Sequence, residues 1–361
     1  MQPQSNGTPM EFFAAANGAD GFRSYFDEIF PSDTLDGVFI LKGGPGTGKS
    51  TLLKELAKAF SCPEIEAEIF YCSSDPASLD GLLLTHKDRR VAVLDGTAPH
   101  ERDARLPGAA DMLINLGDGF DCSTLRNRKS EILSLQKRKS LAYKDAYFYL
   151  KLFGIFLSKI EAEIESRLKK DAVLAWTKEH VFPHIHPGEP RSFSPRLIRA
   201  FSRDGIVRLC SYENNCEKHF GFFGDMTTCG ILLREILSIL KDAGCGGLFA
   251  PSPFTHALID GLFLKDEKIA ISASGEESNG YLPCTDFFSA ATEENEMRLR
   301  EYRAEGERFL ALAKKALLQA SEHHFALEHI YTPAMHFDRL SPIKAALKTQ
   351  ISTLLSVREF S

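Results

Sequence analysis

Two periods of hydrophobic spacing organise this chain, and they change over at glycine-rich or polar breaks. Val38-Phe39-Ile40-Leu41 is a short unbroken apolar run, the pattern of a buried strand. Beyond it, Leu52, Leu53, Leu56, Ala57 and Phe60 recur at helical spacing. Residues 67–71 read as another strand. Arg89-Arg90-Val91-Ala92-Val93-Leu94-Asp95 reads as a buried strand ending in an acid. Residues 123–170 hold no proline and one glycine, Gly154, and Leu125, Ile132, Leu135, Leu141, Phe148 and Leu152 recur there at roughly helical spacing. Residues 292–331 behave alike, and residues 340–357 add a further helix. Pro183, Pro187, Pro190 and Pro195 mark a connector between two halves.

The break between the first strand and the first helix carries chemistry. Gly43-Gly44-Pro45-Gly46-Thr47-Gly48-Lys49-Ser50 fits G-x-x-x-x-G-K-[ST], the phosphate-binding P-loop, in the strand–loop–helix context that it requires. Glycines let successive N–H groups turn inward on a phosphate, and the following helix adds its unpaired N–H groups and positive dipole end. Residues 43–51, ending at Thr51, are therefore the expected ATP cradle. Lys49 supplies charge for the β- and γ-phosphates, and the Ser50 hydroxyl is a hard ligand for Mg²⁺. Asp95, at the end of its strand, fits the Walker B role of orienting Mg²⁺. Gly96 follows it, so the adjacent carboxylate that activates water in many ATPases is absent. No Asn-Lys-x-Asp guanine-reading motif occurs, so ATP is expected over GTP. Ser274-Gly275-Glu276-Glu277 is too far from Leu-Ser-Gly-Gly-Gln to be a transporter signature.

The chain is written twice. Thr51-Leu52-Leu53-Lys54-Glu55-Leu56 is echoed by Ile231-Leu232-Leu233-Arg234-Glu235-Ile236, and Leu79-Asp80-Gly81-Leu82 by Ile259-Asp260-Gly261-Leu262, both offset by 180 residues. Val91-Ala92-Val93 matches Ile269-Ala270-Ile271. Ala19-Asp20-Gly21-Phe22 matches Arg203-Asp204-Gly205-Ile206, and Leu106-Pro107 is paired with Leu282-Pro283. The second half departs at its P-loop. Gly224-Asp225-Met226-Thr227-Thr228-Cys229-Gly230-Ile231 is one residue shorter, lacks the lysine and the metal-side hydroxyl, and gains Asp225, which would repel a phosphate. Ser272 stands at the aligned place of Asp95. The second half is expected to have lost nucleotide binding.

Other residues are candidates beside the phosphates. Asp75, after the second strand, either orients an attacking water or hydroxyl or caps a short helix that begins at Pro76; the cap is the simpler reading. His100, Arg102 and Arg105 in the polar stretch after Asp95 either reach the γ-phosphate or acceptor or are solvated. His100 is second choice after Asp75 for positioning water. His184 and His186 lack an obvious third ligand and read as a turn.

Composition narrows the classes. Hydrophobic content of 43% and charged content of 25% suit a soluble globular chain with room in 361 residues for two domains, 1–182 and 183–361. A net charge of −6 provides no global field for nucleic acid, and the basic positions from Arg126 to Lys144 read as a solvated helix face. The first ten residues carry no basic-plus-apolar leader, no segment suits membrane insertion, and the scattered cysteines suit a cytoplasmic setting.

Phe12-Phe13, Asn17, Gly21-Phe22, the P-loop, Cys72-Ser73-Ser74-Asp75, Leu79-Asp80-Gly81 and above all Asp95-Gly96-Thr97-Ala98-Pro99-His100 resemble a family of uncharacterised bacterial P-loop ATPases. The resemblance continues through residues 109–117 and 327–335. It implies tandem P-loop halves, and members often keep a recognisable loop in the second half, where this chain does not. The expectation is an α/β protein: a P-loop NTPase-type parallel sheet core, internally duplicated, each copy followed by long helices. The first core would bind Mg-ATP and hydrolyse it to drive a conformational change or a protein partner. A kinase acting on a small-molecule or nucleotide acceptor, and a nucleotide-gated module with negligible turnover, are the alternatives.

Overall fold

The computed structural model describes residues 9–186, 188–275 and 280–357. Residues 1–8, Pro187 and Glu276-Glu277, on which some readings above fall, lie outside these. The first half runs β1 (Met10–Phe13), β2 (Ala15–Gly18), β3 (Gly21–Ser24), α1 (Phe26–Ile29), β4 (Gly37–Lys42), α2 (Lys49–Ala59), β5 (Glu66–Tyr71), β6 (Leu79–His86), β7 (Arg89–Asp95) and β8 (Asp111–Asn115). Then come α3 (Cys122–Asn127), the long α4 (Lys129–Glu165) and α5 (Lys170–His180). The second half runs β9 (Phe193–Pro195), β10 (Arg199–Ser202), β11 (Gly205–Arg208), α6 (Ser211–Asn214), β12 (Lys218–Phe223), α7 (Met226–Asp242), β13 (Gly247–Pro251), β14 (Ile259–Leu264), β15 (Ile269–Ser274), β16 (Leu282–Pro283), α8 (Glu293–Tyr331) and α9 (Ser341–Leu354).

The two sheets have one topology. The first is ordered β1-β5-β6-β7-β4-β8 and the second β9-β13-β14-β15-β12-β16. In each, the third strand in that order runs antiparallel to both neighbours and the other pairings are parallel. Even the irregularity recurs, between Phe70 and Tyr71 in one and Ala250 and Pro251 in the other. The core is therefore a duplicated P-loop NTPase-like α/β unit. Buried strands such as Phe39-Ile40-Leu41 read as unbroken apolar runs because both sheet faces are covered. Phe39 and Leu41 pack in the cluster of α2; Val38 and Ile40 lie in the cluster of the other face, with Phe26, Ile29 and Phe30 of α1.

The units meet about a pseudo-twofold axis. Phe13 N–H donates to Leu197 O at 2.8 Å, and Leu197 N–H returns a bond to Phe13 O at 3.2 Å. These residues are each other's counterparts at the offset of the β2–β3 and β10–β11 hairpins, as an isologous contact demands. The long helices α4 and α8 pack side by side, with Phe156 stacked on Phe309 and Arg298 bonded to Glu163. Each then delivers its following helix to the opposite core. Val173 and Trp176 of α5 pack with α7, whereas Leu347 and Ile351 of α9 pack with Leu52, Leu56 and Val93 of the first unit.

Three sequence expectations are corrected. Strand register sets Ala273, not Ser272, in the place of Asp95: Leu41 pairs with Asp95, and Phe222 with Ala273. Leu282-Pro283 pairs with β12 as Ile114-Asn115 pairs with β4, so those residues are its counterpart rather than Leu106-Pro107. The helical stretch after Ser123 is broken at Arg128, which closes α3 before α4 begins. Among the described residues no helix is long and apolar enough to cross a membrane.

Ile351 is fully buried against the first core although it lies in α9. Ile351→Ala should destabilise the chain by about 2–4 kcal/mol through the cavity left behind. A denaturant titration reading the first core checks this, and an unchanged midpoint would contradict the exchanged packing.

Candidate functional site

The C-terminal ends of β4 and β7 are neighbours, which brings their functional residues together. Lys49 Nζ lies 3.7 Å from Asp95 Oδ2 and donates to Gly43 O at 3.0 Å and Gly44 O at 3.1 Å. Asp95 Oδ1 accepts from Thr97 N at 2.9 Å and Thr97 Oγ1 at 2.6 Å, which fixes the carboxylate. The Ser50 hydroxyl oxygen accepts from Leu79 N at 2.9 Å, tying the start of α2 to β6. Thr47 Oγ1 donates to Gly44 O and closes the loop on itself. Gly46 and Gly48 have φ of 70° and 81°, which glycine adopts without the clash of a Cβ. Pro45 lies between Gly44 and Gly46 at the loop's crest, and Thr51 is exposed on the first turn of α2.

The far end of the chain touches this loop. A Cβ on Gly46 would meet Thr332 Oγ1 at 2.5 Å, and one on Gly48 would meet the Phe337 ring at 3.4 Å. Gly44 lies beside Phe120 and Tyr331, whose rings pack together.

The two units differ most at the helix start. Gly48 is the N-cap of α2 and no side chain caps it, so its first N–H groups are open to an anion. In the second unit α7 starts an extra turn earlier and Gly224-Asp225 alone joins strand to helix. The stretch is one residue shorter, and helix replaces most of the loop. Asp225 accepts from Thr227 N and Thr228 N, both at 3.2 Å, and Arg303 lies 3.5 Å from it. The second unit caps its helix with its own carboxylate, whereas the first has no side-chain cap.

Three other expectations change. No helix begins at Pro76: Asp75 opens a turn in which Ser78 N donates to Asp75 O at 2.8 Å, so the cap reading falls. His100 and Arg102 are buried rather than solvated. Arg102 is structural, donating to Phe26 O and Ser32 Oγ, while Arg105 pairs at the surface with Asp27. His100 folds back beneath Asp80, its Nε2 3.5 Å from Asp80 Oδ2.

Asp80 is the residue that the sequence argument passed over. An acid inside Leu79-Asp80-Gly81-Leu82-Leu83-Leu84 was its signal. Burial, with the nearby Asp95 charge adding to it, pushes the Asp80 carboxyl up to about 8. Burial holds the His100 imidazole below its ordinary range.

On the open side, the phosphate end of the loop faces groups from beyond the first sheet. Arg203, at the tip of the β10–β11 hairpin, donates to Asp75 Oδ1 at 3.0 Å and Ser321 Oγ at 2.6 Å, and lies over the Phe325 ring. His324 and Glu328 of α8 lie 3.6 Å apart. Burial, then the Lys139 and Lys49 charges, holds His324 down to about 4, while burial raises Glu328. Burial likewise lowers Lys139 on α4. Only folding brings these residues to Lys49.

A curated gluconokinase from Arabidopsis thaliana is 30% identical to this chain over 154 residues, covering 42% of this chain and 74% of the relative. The chain belongs to that P-loop family. No protein-family model matches it, and no solved structure does either. In this P-loop protein the cradle belongs to the first unit and its walls to both.

The Asp80 shift carries a sign. Its folded-state value of about 8 lies above the ordinary carboxylic value near 3.9, so the folded chain keeps a proton that the unfolded chain releases. Stability should therefore decline as pH rises from about 4 towards 8, and Asp80→Asn should flatten that decline. Urea midpoints of both proteins across this range, in chelator-treated buffer, check the prediction.

Proposed function

We propose that the chain binds Mg-ATP at residues 43–51 of its first unit and transfers the γ-phosphoryl group within the chamber walled by α4, α8 and the β10–β11 hairpin. The observation behind this reading is the set of ionisable groups beyond Lys49, namely Asp75, Arg203, His324 and Glu328, supplied largely by the second unit. Phosphoryl transfer needs positioning, charge neutralisation and exclusion of water. A relative named as a kinase supports an acceptor hydroxyl over water as the nucleophile.

The residues fit nucleotide and metal. The uncapped start of α2 suits an anion, and the Ser50 and Asp95 oxygens suit Mg²⁺, which would neutralise charge on the phosphates. Lys49 holds the β- and γ-phosphates. Asp75 orients the attacking oxygen, and Arg203 offsets negative charge beside it. His100 moves from second choice for that task to the wall behind Asp80. The division at residue 182 belongs to the same reading, supported by two sheets that draw their strands from either side of it. So does the link to uncharacterised bacterial ATPases with tandem halves.

Hydrolysis coupled to movement is the second reading. Thr332 and Phe337 lie against Gly46 and Gly48, so a nucleotide in the loop would be felt where α8 hands over to α9. The acceptor or partner would then be a protein, and the setting cytoplasmic.

Calorimetry should count one ATP per chain, because Asp225 fills the second helix start; two equivalent sites would contradict this. Lys49→Ala should abolish tight Mg-ATP binding or turnover without changing the melting curve. Arg203→Ala should lower turnover by at least about tenfold while affinity changes less. Radiolabelled ATP distinguishes the readings: label on a metabolite supports transfer, and free phosphate alone supports hydrolysis. Turnover and affinity both unchanged in Lys49→Ala would end the proposal.

A further inference from the structure

We propose that Asp80, Asp95 and His100 form a binding site for a first-row divalent cation, filled without nucleotide and sharing only Asp95 with a nucleotide-borne metal at Ser50. One ligand atom from each of the three residues lies within 4.8 Å of the others, a spacing that a single cation can bridge. The cluster sits at the buried end of the site, where Asp80 and His100 are each 7% exposed and Asp95 is 9% exposed.

A buried acidic cluster alone would say little. His100 supplies the independent observation. Both of its ring nitrogens are buried without a hydrogen-bond partner, although Nε2 points at Asp80 from 3.5 Å. Buried polar groups ordinarily find partners, and an imidazole nitrogen without one beside two carboxylates is poised for a metal. The ring is also held in place. Phe26 meets it edge-on at 4.8 Å and 90°, and Phe22 packs at 6.2 Å. A ligand fixed by its surroundings loses little freedom on binding.

The duplication supplies the second argument. Asp260 is the counterpart of Asp80 and is as deeply buried. There the fold provides a cation of its own: Arg199 Nε lies 3.4 Å from Asp260 Oδ2. At the offset of the matched hairpins, the counterpart of Arg199 is Ala15, which brings no charge. The second unit answers its buried acid with an arginine, while the first sets an imidazole and a second carboxylate around the same position and directs its own cation, Lys49, to that second carboxylate. A cation from solution would do there what Arg199 does for Asp260.

The donor set indicates the class of ion. One imidazole nitrogen with carboxylate oxygens suits Mn²⁺, Fe²⁺, Co²⁺ or Zn²⁺ better than Mg²⁺ or Ca²⁺, which take oxygen alone. Three protein ligands leave positions open for water or for an oxygen of a bound phosphate.

The experiment uses the full chain, stripped with chelator and free of nucleotide, titrated with Mn²⁺ and followed by electron paramagnetic resonance. One bound Mn²⁺ per chain is expected, with nitrogen modulation from the imidazole. Asp80→Asn and His100→Gln should each weaken binding by at least about tenfold, the scale of losing a metal-site interaction. Ser50→Ala should leave nucleotide-free binding intact, since that hydroxyl serves the nucleotide's metal. The inference is overturned by no stoichiometric Mn²⁺ binding, by binding without nitrogen modulation, or by binding lost in Ser50→Ala yet kept in His100→Gln. The nitrogen signal is read on the parent protein and does not depend on whether a variant folds. Loss of ATP binding in Lys49→Ala concerns the proposed function, whereas Mn²⁺ binding by the nucleotide-free chain concerns only this site.

Discussion

An open helix start is the constraint on which the rest depends. The first turn of α2 exposes N–H groups that no side chain satisfies, and Gly48 as N-cap offers none. A helix end in that state needs water or an anion. The glycine loop, Lys49 and Ser50 are arranged around that need. The second unit meets the same requirement from within, through Asp225, and so its helix is complete without a ligand. One protein thus holds both solutions to one problem, built on sheets of the same topology.

The second unit nevertheless stays tied to the first. Its hairpin tip brings Arg203 to Asp75, and α8 brings His324 and Glu328 towards Lys49. The pseudo-twofold pairing of Phe13 with Leu197 joins the two units, and α4 packs along α8 beside it. A unit whose own helix start is capped from within lends residues to the surroundings of the other's loop.

The fold was legible because local patterns carried it. The strand, glycine loop and helix around Lys49 obey a motif with a backbone mechanism, and Asp95 sits where a buried strand must end. The repeat was visible from offsets alone. What was not legible depended on residues distant in sequence. Arg203 belongs to a hairpin with no chemistry of its own until it meets Asp75. Asp80 looked like one more repeat element, since sequence does not say that its strand lies beside Asp95. His100 sits in a stretch of polar residues, and only the Phe22 and Phe26 rings show that it turns inward. Asp225 was read for its charge alone, and its capping of α7 required knowing where that helix begins.

The crossing of α5 and α9 between cores has a consequence for how this protein comes into being. During synthesis the strands of the first sheet leave the ribosome early, but Leu347 and Ile351, which cover one of its faces, leave only after the strands of the second sheet. The nascent first unit must wait with apolar surface uncovered while the whole second unit is made, a setting in which chains are vulnerable to wrong association. Contacts so far apart in sequence also slow the final closure. The P-loop, which rests against Thr332 and Phe337, thus gains its last neighbours only after the second sheet has been made.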